Sequence, residues 1–153
     1  MGRIVVGVDG SKASQRALEW AARQASLEGA ELEVVHAYEY ETPWMAYASY
    51  EGMTREQVEG LRAEMEGGKE AAHRHAQAMV DGQVADLPDD LRVQAVAVET
   101  RRPAEVLVER SSDADLLVVG SRGRGGFKGL MLGSVSQQCA THASCPVVII
   151  RAS

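Results

Sequence analysis

Short apolar runs alternate with amphipathic segments along the chain. Residues 3–9 and Glu31–Tyr38 are rich in β-branched side chains, and the segment from Lys12 to about Glu28 places an alanine at every fourth position. Alanines at this period predict a helix with one apolar face, and Ser11 just before them is a typical helix cap. The first part of the chain is therefore predicted to fold as strand, tight turn, helix and strand.

The alternation continues through the rest of the chain. Thr54 and Gln57 form a capping box that predicts a helix running to about Asp81, which the pair Gly67-Gly68 could kink or split. The remaining predicted elements are a strand over 91–99, a short helix from Pro103, a strand over 116–119, a helix from Ser134 to about His142 and a strand over 146–151. This order predicts a single α/β domain over residues 1–153, a doubly wound five-stranded parallel sheet with helices on both faces.

Composition narrows the classes of partner. The 153 residues carry a net charge of −6, which disfavours a general nucleic-acid surface, and no apolar run approaches the ~20 residues of a membrane helix. The N-terminus enters a strand directly, without the apolar core of a signal peptide, so we expect a cytoplasmic protein. Cys139 and Cys145 lack metal-ligand spacing and are expected to be small buried apolar groups.

Aromatic side chains are concentrated in the segment after the second strand. Five of the seven in the chain fall between residues 38 and 50. Two interpretations are open: the segment 38–52 folds over an apolar edge or caps the next helix, or it forms a lid or partner surface near a ligand.

The glycine-rich stretch after the fourth predicted strand is the strongest sign of binding chemistry. It is basic, with Arg122, Arg124 and Lys128 and no acidic residue, and a helix is predicted to follow it at Ser134. The loop glycines are Gly120, Gly123, Gly125, Gly126 and Gly129. Main-chain N–H groups of such a loop, together with a helix N-terminus, form a phosphate cradle. The alternative is a glycine turn that binds nothing.

The spacing excludes two common phosphate motifs. Lys128 lacks the preceding glycine and the following Ser or Thr of a P-loop, and the loop contains no GxGxxG dinucleotide fingerprint. Asp9, at the end of the first strand, has two open interpretations. Its carboxylate could accept a hydrogen bond from a ribose hydroxyl or help to place a cation, or it could serve the turn before Gly10 and Ser11.

The glycine spacing also carries a family resemblance. Gly120-x2-Gly123-x9-Gly133-Ser134 resembles the ATP-binding signature of the universal stress protein family, G-x2-G-x9-G-[S/T]. The resemblance extends to the opening I-V-V-G-V-D-G-S, to P-A-E-V-L-V, to D-A-D-L-L-V-V-G-S-R-G and to the closing S-C-P-V-V-I-I-R. It implies a Rossmann-like fold with sheet order 3-2-1-4-5, in which a ligand crevice opens between strands one and four.

The resemblance further implies an ATP site, with Mg²⁺ bridging phosphate oxygens and no metal ligand or catalytic residue from the protein. By analogy with the family, Asp9 would lie at the nucleotide and the small Ala37 would border the adenine. The implied nucleotide-binding residues are Gly7, Val8, Asp9, Ala37, Gly120, Ser121, Arg122, Gly123, Gly133, Ser134, Val135 and Ser136. Phosphate contacts by Arg124 and Lys128 are an inference from their charge alone.

The expected function is that of an ATP-binding universal stress protein, a nucleotide-dependent stress or signalling protein with an unidentified protein partner. Slow ATP hydrolysis and a pure interaction module are the alternatives. Against an enzyme, Asp9 is the only carboxylate placed near the loop. The last strand would lie at a sheet edge, where pairing with a second copy would cover its apolar residues. A homodimer is therefore expected through Val147, Val148, Ile149 and Ile150.

Overall fold

A computed structural model of the chain describes residues 2–42, 50–122 and 132–152, in which five strands form one parallel sheet. The strands are β1 (Arg3–Gly7), β2 (Glu31–Tyr38), β3 (Val93–Glu99), β4 (Leu116–Gly120) and β5 (Val147–Ile150). The helices are α1 (Lys12–Glu28), α2 (Arg55–Val84), α3 (Pro103–Arg110) and α4 (Ser134–His142). The strand order β3-β2-β1-β4-β5 confirms the doubly wound fold expected from the sequence.

Three strands are shorter than predicted, and in two of them a turn takes over one end. β1 ends at Gly7, since the main chain and side chain of Asp9 bond within the turn that leads to α1. β3 begins at Val93 instead of residue 91, because the N–H of Leu91 donates to the carbonyl of Pro88 in a turn. β5 likewise loses one predicted residue at each end.

Alternating strand residues build two apolar layers, one on each face of the sheet. Ile4 and Val6 point towards the layer that contains residues of α1 and α2, whereas Val5 points towards the layer under α3 and α4. The predicted alanine stripe of α1 is buried against the first of these faces. Small side chains there let the helix lie close to this face of the sheet.

A buried ion cluster lies near the amino-terminal ends of β1 and β2. Glu33 on β2 is only 2% exposed, and its carboxylate accepts from Arg3 at 2.7 Å and from Arg110 of α3 at 2.5 Å. Arg3 also donates to the carbonyl of Arg110 at 2.6 Å and pairs with Asp113. Two guanidinium groups therefore compensate one desolvated carboxylate, and this cluster joins β1, β2 and α3.

The glycine pair in α2 does not interrupt the helix, which is continuous from Arg55 to Val84. The split of this helix that the sequence left open is therefore wrong. Gly68 has a packing reason, because a Cβ built there would lie 2.5 Å from the Tyr40 hydroxyl. A Cβ at Gly67 would meet nothing within 4 Å.

These adjacent glycines give a matched pair of predictions. Gly67→Ala is expected to raise the free energy of unfolding by about 1 kcal/mol, because alanine loses less backbone entropy in an exposed helix. Gly68→Ala is expected to gain little or nothing, since Tyr40 must move to make room. Urea unfolding at one protein concentration measures both values. Equal gains from the two substitutions would contradict the Tyr40 contact.

Of the two cysteines, Cys139 is buried as the sequence predicts, whereas Cys145 is not fully buried. Cys139 is fully buried and Cys145 is partly buried in the layer beside α4. Burial, and secondarily the neighbouring Cys145 thiol, raise the pKa of Cys139 to about 11, so the group stays protonated at neutral pH. Separately, none of the helices in the described ranges is both long and apolar enough to cross a bilayer.

Candidate functional site

A cavity of about 380 Å³ opens at the carboxyl ends of β1 and β4, where the direction of the chain crossovers reverses. This is the place at which open α/β sheets bind ligands, and the volume lies within the range of small-molecule sites. Most of the site residues expected from the sequence line it: Gly7, Val8, Asp9, Ala37, Gly120, Arg122, Gly133, Ser134, Val135 and Ser136. Gly123, Arg124 and Lys128 lie outside the described residues, as do Trp44 and Tyr47 of the aromatic segment.

The turn between β1 and α1 forms one wall and is fixed by short-range hydrogen bonds. The N–H of Ser11 donates to Asp9 Oδ1 at 2.9 Å, and the N–H of Asp9 donates to Ser14 Oγ at 3.2 Å. Gly10 has a φ of 80°, a conformation that strongly favours glycine. The turn role considered for Asp9 is therefore present, and the same residue also lines the cavity.

The start of α4 forms part of the cavity wall. Gly133 is its N-cap, with extended dihedral angles of φ −73° and ψ 167° and no side-chain cap hydrogen bond. The N–H groups of the first helical turn have no intrahelical acceptor, and the helix dipole is positive at this end. Residues 133–136 all line the cavity, so these donors and the Ser134 hydroxyl are available to an anion.

Ser121 does not line the described cavity, but its carbonyl is bonded to Gly133, which does. Ser121 is 5% exposed, its N–H donates to the carbonyl of Ile150 at 2.7 Å, and its carbonyl accepts from the N–H of Gly133 at 2.7 Å. The same carbonyl accepts from the buried Ser136 hydroxyl at 3.0 Å. The Ser121 main chain therefore links the end of β5 to the first turn of α4.

Another part of the cavity wall is apolar, and most of it was not predicted from the sequence. Its lining residues are Val35, Ala37, Pro103, Leu107 and Val119. Val35 lies two residues before Ala37 on the same strand face, so strand alternation could have identified it. Val119 could have been found only by its position next to Gly120. Leu107 could not be found in this way, because α3 reaches the cavity only through tertiary packing.

Two glycines permit close packing around this crevice. A Cβ at Gly120 would lie 2.8 Å from the carbonyl carbon of Ala13 and 2.9 Å from the nitrogen of Ser14, both backbone atoms of α1. A Cβ at Gly7 would lie 2.8 Å from a methyl carbon of Leu107. Gly120 therefore lets the first turn of α1 rest directly on the end of β4, and Gly7 admits Leu107 to the cavity wall.

Histidine and tyrosine side chains join the crevice turn to α2 on the other face of the sheet. His36 Nδ1 lies 3.0 Å from the carbonyl of Val8, and the rings of His36 and Tyr38 stack with centroids 6.2 Å apart. The Tyr38 hydroxyl lies 3.1 Å from Nδ1 of His73. Burial, and secondarily the charge of Glu99, raise the pKa of Tyr38. His36 is thus a packed strand residue.

Across residues 2–42, 50–122 and 132–152, no group of three His, Cys, Asp or Glu side chains could hold a metal ion. The acidic side chain among the described lining residues is Asp9. A divalent cation at this site would therefore take its ligands chiefly from the oxygens of a bound phosphate chain and from water.

Residues 1–151 match the model of the universal stress protein family. This chain belongs to that family. The universal stress protein Rv2623 of Mycobacterium tuberculosis is 38% identical over 152 residues, covering 96% of this chain and 46% of the relative. The chain thus spans about half the length of the curated universal stress proteins that it matches.

Solved structures of similar shape agree with the fold. The protein MJ0577 has a TM-score of 0.75 at 19% identity, with 98% of this chain and 95% of that chain covered. A universal stress protein solved in complex with cAMP has a TM-score of 0.61 at 27% identity, with 99% and 98% covered. Similarity to the first shows the universal stress protein fold, and the second is a family member that holds an adenine nucleotide.

Proposed function

We propose that this universal stress protein binds an adenine nucleotide in the crevice between β1 and β4, and that ATP with Mg²⁺ is its ligand. A nucleotide has a flat apolar base at one end and anionic phosphates at the other. The cavity offers groups of both kinds, with the apolar side chains of Val35, Ala37 and Leu107 and the first turn of α4 in its wall. The uncapped N-terminus of α4 inside the cavity is the observation that carries the proposal.

Each part of the crevice would then have a definite role. The phosphates would accept hydrogen bonds from the N–H groups of residues 134–136, and Arg122 would add positive charge. Asp9 would face the ribose hydroxyls or the cation from the turn before α1. Mg²⁺ would bridge phosphate oxygens and reduce their mutual repulsion. The protein would act as a nucleotide-dependent stress or signalling protein towards an unidentified protein partner.

Calorimetric titration with ATP, ADP, AMP and cAMP, each with and without Mg²⁺, tests the proposal. Saturable binding of ATP that strengthens with Mg²⁺ is expected. Absence of binding by every nucleotide would favour the interaction-module alternative. Multiple-turnover phosphate release would instead identify a slow hydrolase, for which a bound phosphate chain needs only a positioned water.

A homodimer through β5 is the second part of the proposal. The C=O groups of Pro146 and Ile150 accept from β4, so the alternate residues Val147 and Ile149 direct their main-chain groups away from the sheet. An apolar strand with outward donors and acceptors is a template for pairing. A second copy related by a two-fold axis would pair antiparallel with it and cover the edge.

Proline at one outward position tests this dimer. Ile149→Pro is expected to convert the dimer into a monomer, because it removes an outward N–H and leaves the carbonyls that bond to β4 in place. Ile149→Val keeps that N–H and is expected to remain dimeric. Light scattering at micromolar concentration gives the mass of each protein. A wild-type monomer, or an unchanged dimer in Ile149→Pro, would contradict pairing through β5.

A further inference from the structure

The other edge of the sheet, β3, is occupied by a side chain from α2. The Gln77 amide nitrogen donates to the carbonyl of Ala95 at 2.9 Å, and its oxygen accepts from the N–H of Ala97 at 3.0 Å. The second amide hydrogen donates to Asp81 Oδ1 at 2.9 Å. Donors and acceptors match in only one orientation, so the amide cannot be flipped without losing these bonds.

The two strand groups that Gln77 bonds belong to the outer side of β3. The carbonyl of Arg92 accepts from β2, and strand residues alternate the side to which they present their main-chain groups. Ala95 and Ala97 therefore face away from β2. A neighbouring strand would offer one C=O to the N–H of Ala97 and one N–H to the carbonyl of Ala95, and the Gln77 amide supplies both groups.

We propose that Gln77 closes the β3 edge to strand addition, so that a second copy of this chain can pair only through β5. The residue is held in place by the packing of α2, because Ala76 and Val80 beside it are buried in the apolar layer of the sheet. Asp81, one turn further on, fixes the rotamer of the amide. This inference extends the proposed dimer, since it states why assembly stops at two chains.

The two edge strands, β3 and β5, differ in their outward main-chain groups. At β3, the central outward N–H and C=O groups already have partners within the chain. At β5, the strand is a run of four β-branched residues, each partly exposed, whose alternate main-chain groups point outwards. One closed edge and one open edge give a closed two-fold assembly, whereas two open edges would allow an open-ended chain of molecules.

Removing the amide tests the inference. Gln77→Ala is expected to open β3 and give species of about twice the wild-type mass or more, because each molecule then has two edges that can pair. Gln83→Ala in the same helix is the matched control, as its Oε1 has no hydrogen-bond partner in the described structure. Light scattering over a concentration series, with circular dichroism to show that each variant is folded, gives the masses.

The double variant Gln77→Ala/Ile149→Pro separates edge pairing from general aggregation. It is expected to form discrete dimers through β3, whereas Ile149→Pro alone is a monomer. A folded Gln77→Ala protein that keeps the wild-type mass would overturn the role of Gln77. A wild-type monomer would refute only the β5 dimer, since a gain of mass in Gln77→Ala would still support the closed edge.

Hydrogen exchange on the wild-type protein tests the same inference without a substitution. The Ala97 N–H lies on the outer side of an edge strand, where an amide without a partner would exchange fast. It is expected to exchange slowly because it is bonded to Gln77. Exchange as fast as that of solvent-exposed amides would overturn the proposal, whether or not the variants fold.

Discussion

Aspartate in place of Gly133 is expected to weaken ATP binding strongly while leaving the protein at least as stable as the wild type. The carboxylate would lie at the N-cap of α4, where it would accept from the N–H groups that we assign to the phosphates and would repel them. We expect affinity to fall by roughly a hundredfold or more. Gly133 has an ordinary extended conformation, so the substitution requires no left-handed backbone.

Opposite effects on binding and stability make this prediction specific. Aspartate is a better N-cap than glycine, so the melting temperature without ligand should stay equal or rise slightly. Ala140→Asp places the same charge on an exposed position later in α4 and should leave binding nearly unchanged. Calorimetry with ATP and Mg²⁺ and thermal melting measure the two properties. Undiminished affinity in Gly133→Asp would show that the phosphates do not bind at α4.

Truncation of Glu33 is expected to cause the largest loss of stability of any change considered for this protein. In Glu33→Ala, Arg3 and Arg110 lose their shared carboxylate in a largely buried place. Their side chains are 29% and 34% exposed and so reach water. The expected loss is therefore about 3 kcal/mol, the lower end of the range for breaking a buried ion pair.

Glu31→Ala is the matched control for this loss. Glu31 is an exposed residue of the same strand, and its removal should change stability by less than about 0.5 kcal/mol. Urea unfolding at a fixed protein concentration gives both values, which keeps any contribution of association constant. A loss from Glu33→Ala no greater than that from Glu31→Ala would mean that the ion cluster contributes nothing to the folded state.

The layout of the fold was predictable because it depends on local periodicity. β-branched runs, the alanine stripe of α1 and the caps at Ser11 and Thr54 each specify an element within a few residues. Local patterns do not specify the strand order, which the family resemblance implied and the sheet confirms. Boundaries were less accurate, since turn bonds such as that from Leu91 to Pro88 decide where β3 begins.

Contacts between residues far apart in the chain could not be predicted from the sequence. In the sequence, Glu33 is an ordinary polar position of a strand. Only the packing of α3 brings Arg110 to it. Gln77 reads as a surface residue of a long helix until α2 lies along β3. Leu107 lies in the cavity wall for the same reason. In each case the partner is far away in sequence, and no local pattern encodes the contact.

A crystal structure of the chain grown with ATP and Mg²⁺ tests the central claim most directly. We predict the adenine beside Val35 and Ala37, and the phosphates within hydrogen-bond distance of the main-chain N–H groups of residues 134–136. An empty crevice at saturating nucleotide, or a nucleotide bound elsewhere on the molecule, would contradict the assignment of this site.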